Sequence, residues 1–300
     1  VELGYEAICT ASTGNAAASL ATCARSIHFP CVVFVPESTP EAKLVQMLAF
    51  GAKVFKVAGN YDQAFDLACA ACDEFGWMNR SAGFNPYLVE GKKTGAWELA
   101  EQTGFKLPDA VFVSVGDGSI VSGLCKGFQE MKTLNLIKAV PRVIGVQADG
   151  ASVLVKSWQR RKESGSSFEI KVENDIHTIA DSVSVGNPRE GMRALRAVEL
   201  CNGEFISVSD DEILEAIRRL PMETGVFGEP AAATAYAGAI SARKAGLLNK
   251  SSSMAVFVTG SGLKDLKTAE TAIHSTDDPL PVGDNFLELI QERLQKDEER

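Results

Sequence analysis

A chain of 300 residues that is 45 % apolar carries enough hydrophobic side chains for two cores of unequal size, and global disorder is not expected. The formal net charge of −9 argues against a nucleic-acid partner, because a phosphate backbone demands clustered Lys and Arg. The 7 Cys lie scattered through apolar stretches, no run nears the ~18 apolar residues of a membrane span, and no leader opens the chain, so a cytoplasmic protein without a membrane partner is expected.

In chain order, Val1 to Leu3 followed by Gly4 reads as the last turn of a helix with its glycine cap, which predicts a start part-way through a domain. Short runs rich in β-branched residues then predict strands at 7–10, 31–35, 54–57, 110–115, 143–147, 205–208 and 254–258. Ala-rich or amphipathic segments predict helices at 16–27, 41–50, 61–75, 94–103, 121–132, 152–162, 189–201, 210–222, 231–245 and 263–273. Strands alternating with helices imply an α/β protein built on parallel sheets with helices on their faces. The first three strands form one series and the next four another, so we expect a smaller α/β domain over 1–86 and a larger one over 87–300. Thr39-Pro40 reads as a helix start with the hydroxyl as cap, and Ser209-Asp210-Asp211-Glu212 as a capping box. A polar segment at 274–284, with Pro279 and Pro281, precedes a last helix in which Phe286, Ile290 and Leu294 share a face that packs on the body or on a partner subunit.

Three turns could carry chemistry. After the strand at 110–115, Gly116-Asp117-Gly118-Ser119 opens a helix, a geometry that aims free N–H groups and a helix dipole at an anion. Gly116, Gly118 and Gly123 loosely match a dinucleotide fingerprint, yet no acidic residue follows at the expected distance of about 20 residues, which favours a lone phosphate. After the first strand, Ala11-Ser12-Thr13-Gly14-Asn15-Ala16 gathers hydroxyls, an amide and open N–H groups, suited to a carboxylate or a cofactor oxygen, although a well-capped helix start would look the same. Val258-Thr259-Gly260-Ser261-Gly262 ends a late strand, where open α/β sheets bind ligands, and Thr259 could offer a hydroxyl to a ring nitrogen. The histidines, His28, His177 and His274, lie too far apart for a metal site of familiar spacing, and Cys69 with Cys72 reads as small buried side chains.

The three turns in this order, with Asn85-Pro86-Tyr87-Leu88-Val89-Glu90-Gly91-Lys92-Lys93-Thr94 and Gly225-Val226-Phe227-Gly228-Glu229-Pro230, resemble the threonine synthases and the wider fold-type II (tryptophan synthase β-like) pyridoxal-phosphate enzymes from about Ala7 to Asp265. The resemblance implies the two-domain parallel-sheet fold of that group, pyridoxal phosphate as cofactor, an amino acid as substrate and a homodimer. It implies that Asn15 hydrogen-bonds the cofactor's phenolic oxygen, that Ser12, Thr13 and Gly14 hold the substrate carboxylate, and that Gly116, Gly118, Ser119, Ile120 and Val121 bind the cofactor phosphate. Thr259 would face the pyridine nitrogen, and Gly186-Asn187-Pro188 and Glu229 fall in segments that line the pocket. The family's cofactor lysine lies in a Ser-Phe-Lys-Asp-Arg motif shortly before the first matched strand. That motif occurs nowhere in the chain, so the lysine is expected before Val1 and these residues alone are expected to be inactive.

Three departures bear on the substrate. Ala16 replaces a threonine, Leu88 replaces an arginine common after Asn-Pro, and Asp117 puts a carboxylate near the anion site where relatives often carry Asn. Each removes a contact to the phosphate of phosphohomoserine or adds repulsion, and Arg80 is the nearby candidate to compensate. The expected reaction is conversion of O-phosphohomoserine to threonine with phosphate release. The alternatives are a serine or threonine dehydratase, a non-catalytic amino-acid sensor on the same fold, or a nicotinamide dehydrogenase, the last disfavoured by the missing ribose carboxylate.

Overall fold

The computed structural model describes residues 3–12, 14–273 and 287–292. The first unit runs β1 (Ile8–Ala11), α1 (Asn15–Ser26), β2 (Cys31–Pro36), α2 (Glu41–Ala49), β3 (Lys53–Val57), α3 (Tyr61–Phe75) and β4 (Met78–Asn79). Helices α4 (Tyr87–Lys92) and α5 (Thr94–Gln102) lead into β5 (Ala110–Ser114), α6 (Ser119–Thr133), β6 (Arg142–Ala148), α7 (Val153–Ser164), α8 (Gly191–Leu200) and β7 (Glu204–Val208). They are followed by α9 (Asp210–Thr224), α10 (Pro230–Lys244), β8 (Met254–Val256) and α11 (Leu266–Ala272).

Two four-stranded sheets result, ordered β3-β2-β1-β4 and β7-β6-β5-β8, with every ladder parallel. Each sheet grows outward from its first strand and then returns to that strand's other side. The order therefore reverses beside β1 in one sheet and beside β5 in the other. Crevices outside the carboxyl ends of strands at such reversals are where open α/β sheets bind ligands.

The residue pattern explains the layers. Strand β5 is buried along its whole length, as expected of a central parallel strand covered on both faces. Its alternate residues Val111 and Val113 join a core with α5, α6 and α8, whereas Ala110 and Phe112 join a second core beneath α9 and α10. Helix α10 is rich in buried alanine, and a side chain on its Gly238 would run into Val146, so the helix lies close against the sheet. In the smaller sheet, Val33 and Val35 pack with α1 and α2, and Cys9, Ala11 and Val32 pack with α3.

Several expectations are corrected. Strand β4 is too short to leave a periodic signal, and α4, at the expected domain boundary, is a helix that the sequence pattern did not predict because Asn85-Pro86 and Gly91 dominate its composition. Helix α6 starts at Ser119, two residues before the expected 121. The helix expected at 263–273 divides into a 3-10 turn (Gly262–Lys264) and α11, where the Asp265 side chain accepts from the Thr268 amide. Thr39 does not cap α2; its hydroxyl is buried without a partner and Pro40 occupies the cap. The capping box at Ser209 and Glu212 is formed. Residues 1–2 and the segment 274–286 lie outside the described residues, as do Phe286 and Leu294 of the last expected helix; Ile290 sits in a helical stretch at 287–292. Among the described residues, no helix is long and apolar enough to cross a membrane.

Candidate cofactor and substrate site

A cavity of about 430 Å³ opens where the carboxyl ends of β1 and β5 face each other. Its wall beside β5 is the glycine turn. Gly118 sits at φ +95°, in the left-handed region, and an added Cβ would lie 2.8 Å from the Ala194 Cβ. Only glycine fits there without strain. Helix α6 then begins at Ser119 with no side-chain cap and no acidic residue in its first turn. Its leading amides have no intrahelical partners, and the Ser119 hydroxyl is buried with no hydrogen bond at all. Glycines that admit a close approach, an open helix N-terminus and an orphaned hydroxyl together fit a phosphate.

The opposite wall follows β1. The Gly14 amide donates to the Ser12 hydroxyl (3.3 Å), and α1 begins at Asn15. The Asn15 amide donates to Glu229 Oε1 (2.6 Å) and to the Thr259 carbonyl (3.1 Å), while Lys264 donates to its Oδ1. A side chain on Gly260 would collide with both Glu229 and Asn15, so that glycine lets the two meet. Glu229 is almost fully buried; burial raises its carboxyl above the usual range, opposed by Lys43 and by the bond from Asn15. Asn15 thus has its orientation set by residues more than 200 positions away, with both amide hydrogens engaged.

Asp117 stands between the walls. Its Oδ2 accepts from the Tyr61 hydroxyl (3.0 Å) and its Oδ1 from the Arg189 amide (3.1 Å). Arg189 in turn pairs with Asp62 (3.1 Å) and lies 4.4 Å over the Phe65 ring. Burial pushes the Asp117 carboxyl up, countered by those two bonds and by Lys92 and Arg189, and pushes the Tyr61 phenol well above its ordinary value. Both oxygens of Asp117 are therefore committed to tying the glycine turn to α3. A second tie joins Lys43 of α2 to Asp181 (2.7 Å).

Ser12, Gly14, Asn15, Gly116, Asp117 and Thr259 all line this one cavity, as do Gly118, Ser119, Ile120 and Val121. Thr13 lies outside the described residues. Gly186 and Glu229 line it too. Not anticipated were Tyr61, Lys264 and Lys92. Lys92 shares the cavity with Leu88, four residues earlier on α4, a spacing that places both on one helix face; had α4 been recognised as a helix, that pairing would have been visible.

Residues 2–260 match the sequence profile of the family described as pyridoxal-phosphate dependent enzyme. The chain belongs to that family. The threonine synthase of Methanocaldococcus jannaschii is 35 % identical over 98 % of this chain and 71 % of its own length. That of Methanosarcina acetivorans is 33 % identical over 98 % of this chain and 70 % of its own. Among solved structures, the processed form of threonine deaminase isoform 2 from Solanum lycopersicum superposes with a TM-score of 0.73 at 22 % identity, over 90 % of this chain and 74 % of that one, which shows a shared fold. Pyridoxal phosphate is the cofactor of this family, and the Gly118 cradle with the orphaned Ser119 hydroxyl fits its phosphate.

Proposed function

We propose that the protein is a threonine synthase-type lyase, which converts O-phosphohomoserine to threonine with release of phosphate. The observation that carries this is the convergence, in one cavity, of the open α6 N-terminus with its unpartnered Ser119 hydroxyl and of the Ser12 to Asn15 turn, in a chain whose 35 % identical relative is a threonine synthase. Bound there, the cofactor supplies an electron sink for a carbanion next to the substrate's amino group. Gly118, Ser119 and the following amides would hold its phosphate. Asn15 would donate to its phenolic oxygen by releasing one of its present acceptors, with Glu229 and Lys264 fixing where the amide sits. Ser12 and Gly14 would receive the substrate carboxylate, and Thr259 would face the ring nitrogen without a charge. Asp117, through Tyr61 and Arg189, would hold the β5 turn against α3 while substrate is bound.

A second reading, a serine or threonine dehydratase, is favoured by Leu88 and Ala16, which line the cavity with apolar groups where the resemblance places an arginine and a threonine. Offering O-phosphohomoserine, serine and threonine to protein that carries the relatives' lysine motif, and measuring phosphate against 2-oxo acid release, separates the two. Phosphate with threonine supports the synthase; 2-oxo acid alone overturns it. The 300 residues themselves hold no Ser-Phe-Lys-Asp-Arg motif, and we expect them to bind pyridoxal phosphate without turnover, checked by absorbance titration alongside product assays.

A further inference from the structure

The charges lining the cavity do not balance locally. Its five carboxylates are all engaged: Asp62 with Arg189, Asp117 with Tyr61 and the Arg189 amide, Glu173 with Lys156, Asp181 with Lys43, and Glu229 with Asn15. Its two cations, Arg80 and Lys92, form no side-chain hydrogen bond and no salt bridge to any described residue. Both are partly buried, and each loses some of its hydration without gaining a hydrogen-bonded or ion-paired acceptor among the described residues. They line the same cavity. Burial and then Arg80 push the Lys92 ammonium down to about 8, against the pull of Asp117 and Glu190. A pair of like charges lining an open cavity is further stabilised when an anion enters.

The cofactor phosphate already has an uncharged cradle at Gly118 and Ser119. Lys92 springs from a different place: an added Cβ on Gly123, one turn further along α6 than Ser119, would lie 2.7 Å from the Lys92 Cβ. Lys92 also stands one helical turn beyond Leu88, where the resemblance noted above places an arginine. Resting on the phosphohomoserine reading above, we infer that Arg80 and Lys92 form a second anion subsite in this cavity, which takes the phosphate end of the amino-acid substrate in place of an arginine at position 88. A flexible ammonium beside a guanidinium suits a tetrahedral dianion, which offers several acceptor oxygens.

The test is a calorimetric titration of inorganic phosphate into the chain saturated with pyridoxal phosphate, with cofactor affinity measured in parallel. Phosphate is expected to bind with cofactor in place. Lys92→Met and Arg80→Met should each weaken it about ten- to hundredfold while leaving cofactor affinity as it was, and Lys92→Arg should retain most of it. Circular dichroism checks each fold, and the Lys92→Arg and Lys92→Gln pair decides the matter should Arg80→Met fail to fold. Displacement of the cofactor by phosphate, or a parallel loss of cofactor affinity in the variants, would assign the cations to the cofactor phosphate and overturn the subsite. Phosphate binding indifferent to both positions would overturn it as well. If phosphate binds as expected but only 2-oxo acids are released from serine or threonine, the subsite stands and the synthase reading falls. If phosphohomoserine is converted while phosphate binding ignores Arg80 and Lys92, the synthase stands and the subsite falls.

Discussion

The turns after β1 and β5 occupy the same topological place, yet they are finished in opposite ways. Each follows the first strand of a parallel sheet, at the point where strand order reverses, and each opens a helix toward the shared cavity. After β5 the backbone is the instrument: a left-handed Gly118, an uncapped fifteen-residue helix and a lone hydroxyl leave partial positive charge for an anion. After β1 the side chains are the instrument: Ser12 accepts from Gly14, and Asn15 is held by Glu229, Thr259 and Lys264. Topology sets where a ligand can sit, and local chemistry sets whether the site offers diffuse potential or directed bonds.

Four changes would break or sharpen that contrast. The largest effect is expected from Gly118→Ala, which forces a Cβ into the left-handed region and against Ala194. It should destabilise the chain by about 2–4 kcal/mol and abolish measurable cofactor binding, read by denaturant unfolding and absorbance titration. Lys92→Met should act in the other direction on stability, because it removes a partly buried ammonium that makes no hydrogen bond or ion pair and on which burial and Arg80 outweigh Asp117 and Glu190. We expect the empty chain to gain about 1–2 kcal/mol while phosphate binding is lost, and a loss of stability would mean that the attraction of Asp117 and Glu190 outweighs the cost of burial. Glu229→Gln keeps the shape but weakens the acceptor that orients Asn15. Cofactor affinity should fall roughly tenfold, with phosphate binding at Arg80 and Lys92 unchanged. Ser119→Ala should cost cofactor affinity least, about two- to tenfold, and should leave stability untouched because the hydroxyl has no partner to lose.

The pH dependence of phosphate binding follows from Lys92, whose ammonium is faced by Arg80 beyond β4, Asp117 after β5 and Glu190 before α8. Its proton is held below about pH 8 and lost above it, so affinity for inorganic phosphate should be high on the acid side and fall as pH rises through that value. The same depressed value makes the empty chain more stable as pH rises from about 8 toward the ordinary lysine range, since the unfolded chain then binds the extra proton. Flat profiles in both measurements would remove Lys92 from the anion site.

The sequence by itself determined what local periodicity and local chemistry encode. Short, largely apolar runs rich in β-branched residues such as β5 and β6 mark strands covered on both faces, and glycine turns followed by Ala-rich or amphipathic segments mark the starts of helices. The turns at Ser12, Gly118 and Thr259 were legible for the same reason, since each depends on a few adjacent residues. Tertiary structure alone decided the rest. Two-residue β4 exists because Ile8 and Cys9 offer it a ladder, and nothing in Met78-Asn79 announces that. Asn15 meets Glu229 across 214 positions, and Asp117 meets Tyr61 across 56, so a carboxylate read as a repulsive neighbour of the anion proves to be bound on both oxygens. Arg80 was a candidate from its place beside Asn79, but Lys92 acquires its meaning only when packing brings it with Arg80 into one cavity whose carboxylates are already taken, because an electrostatic imbalance is a property of the enclosed space and not of either residue.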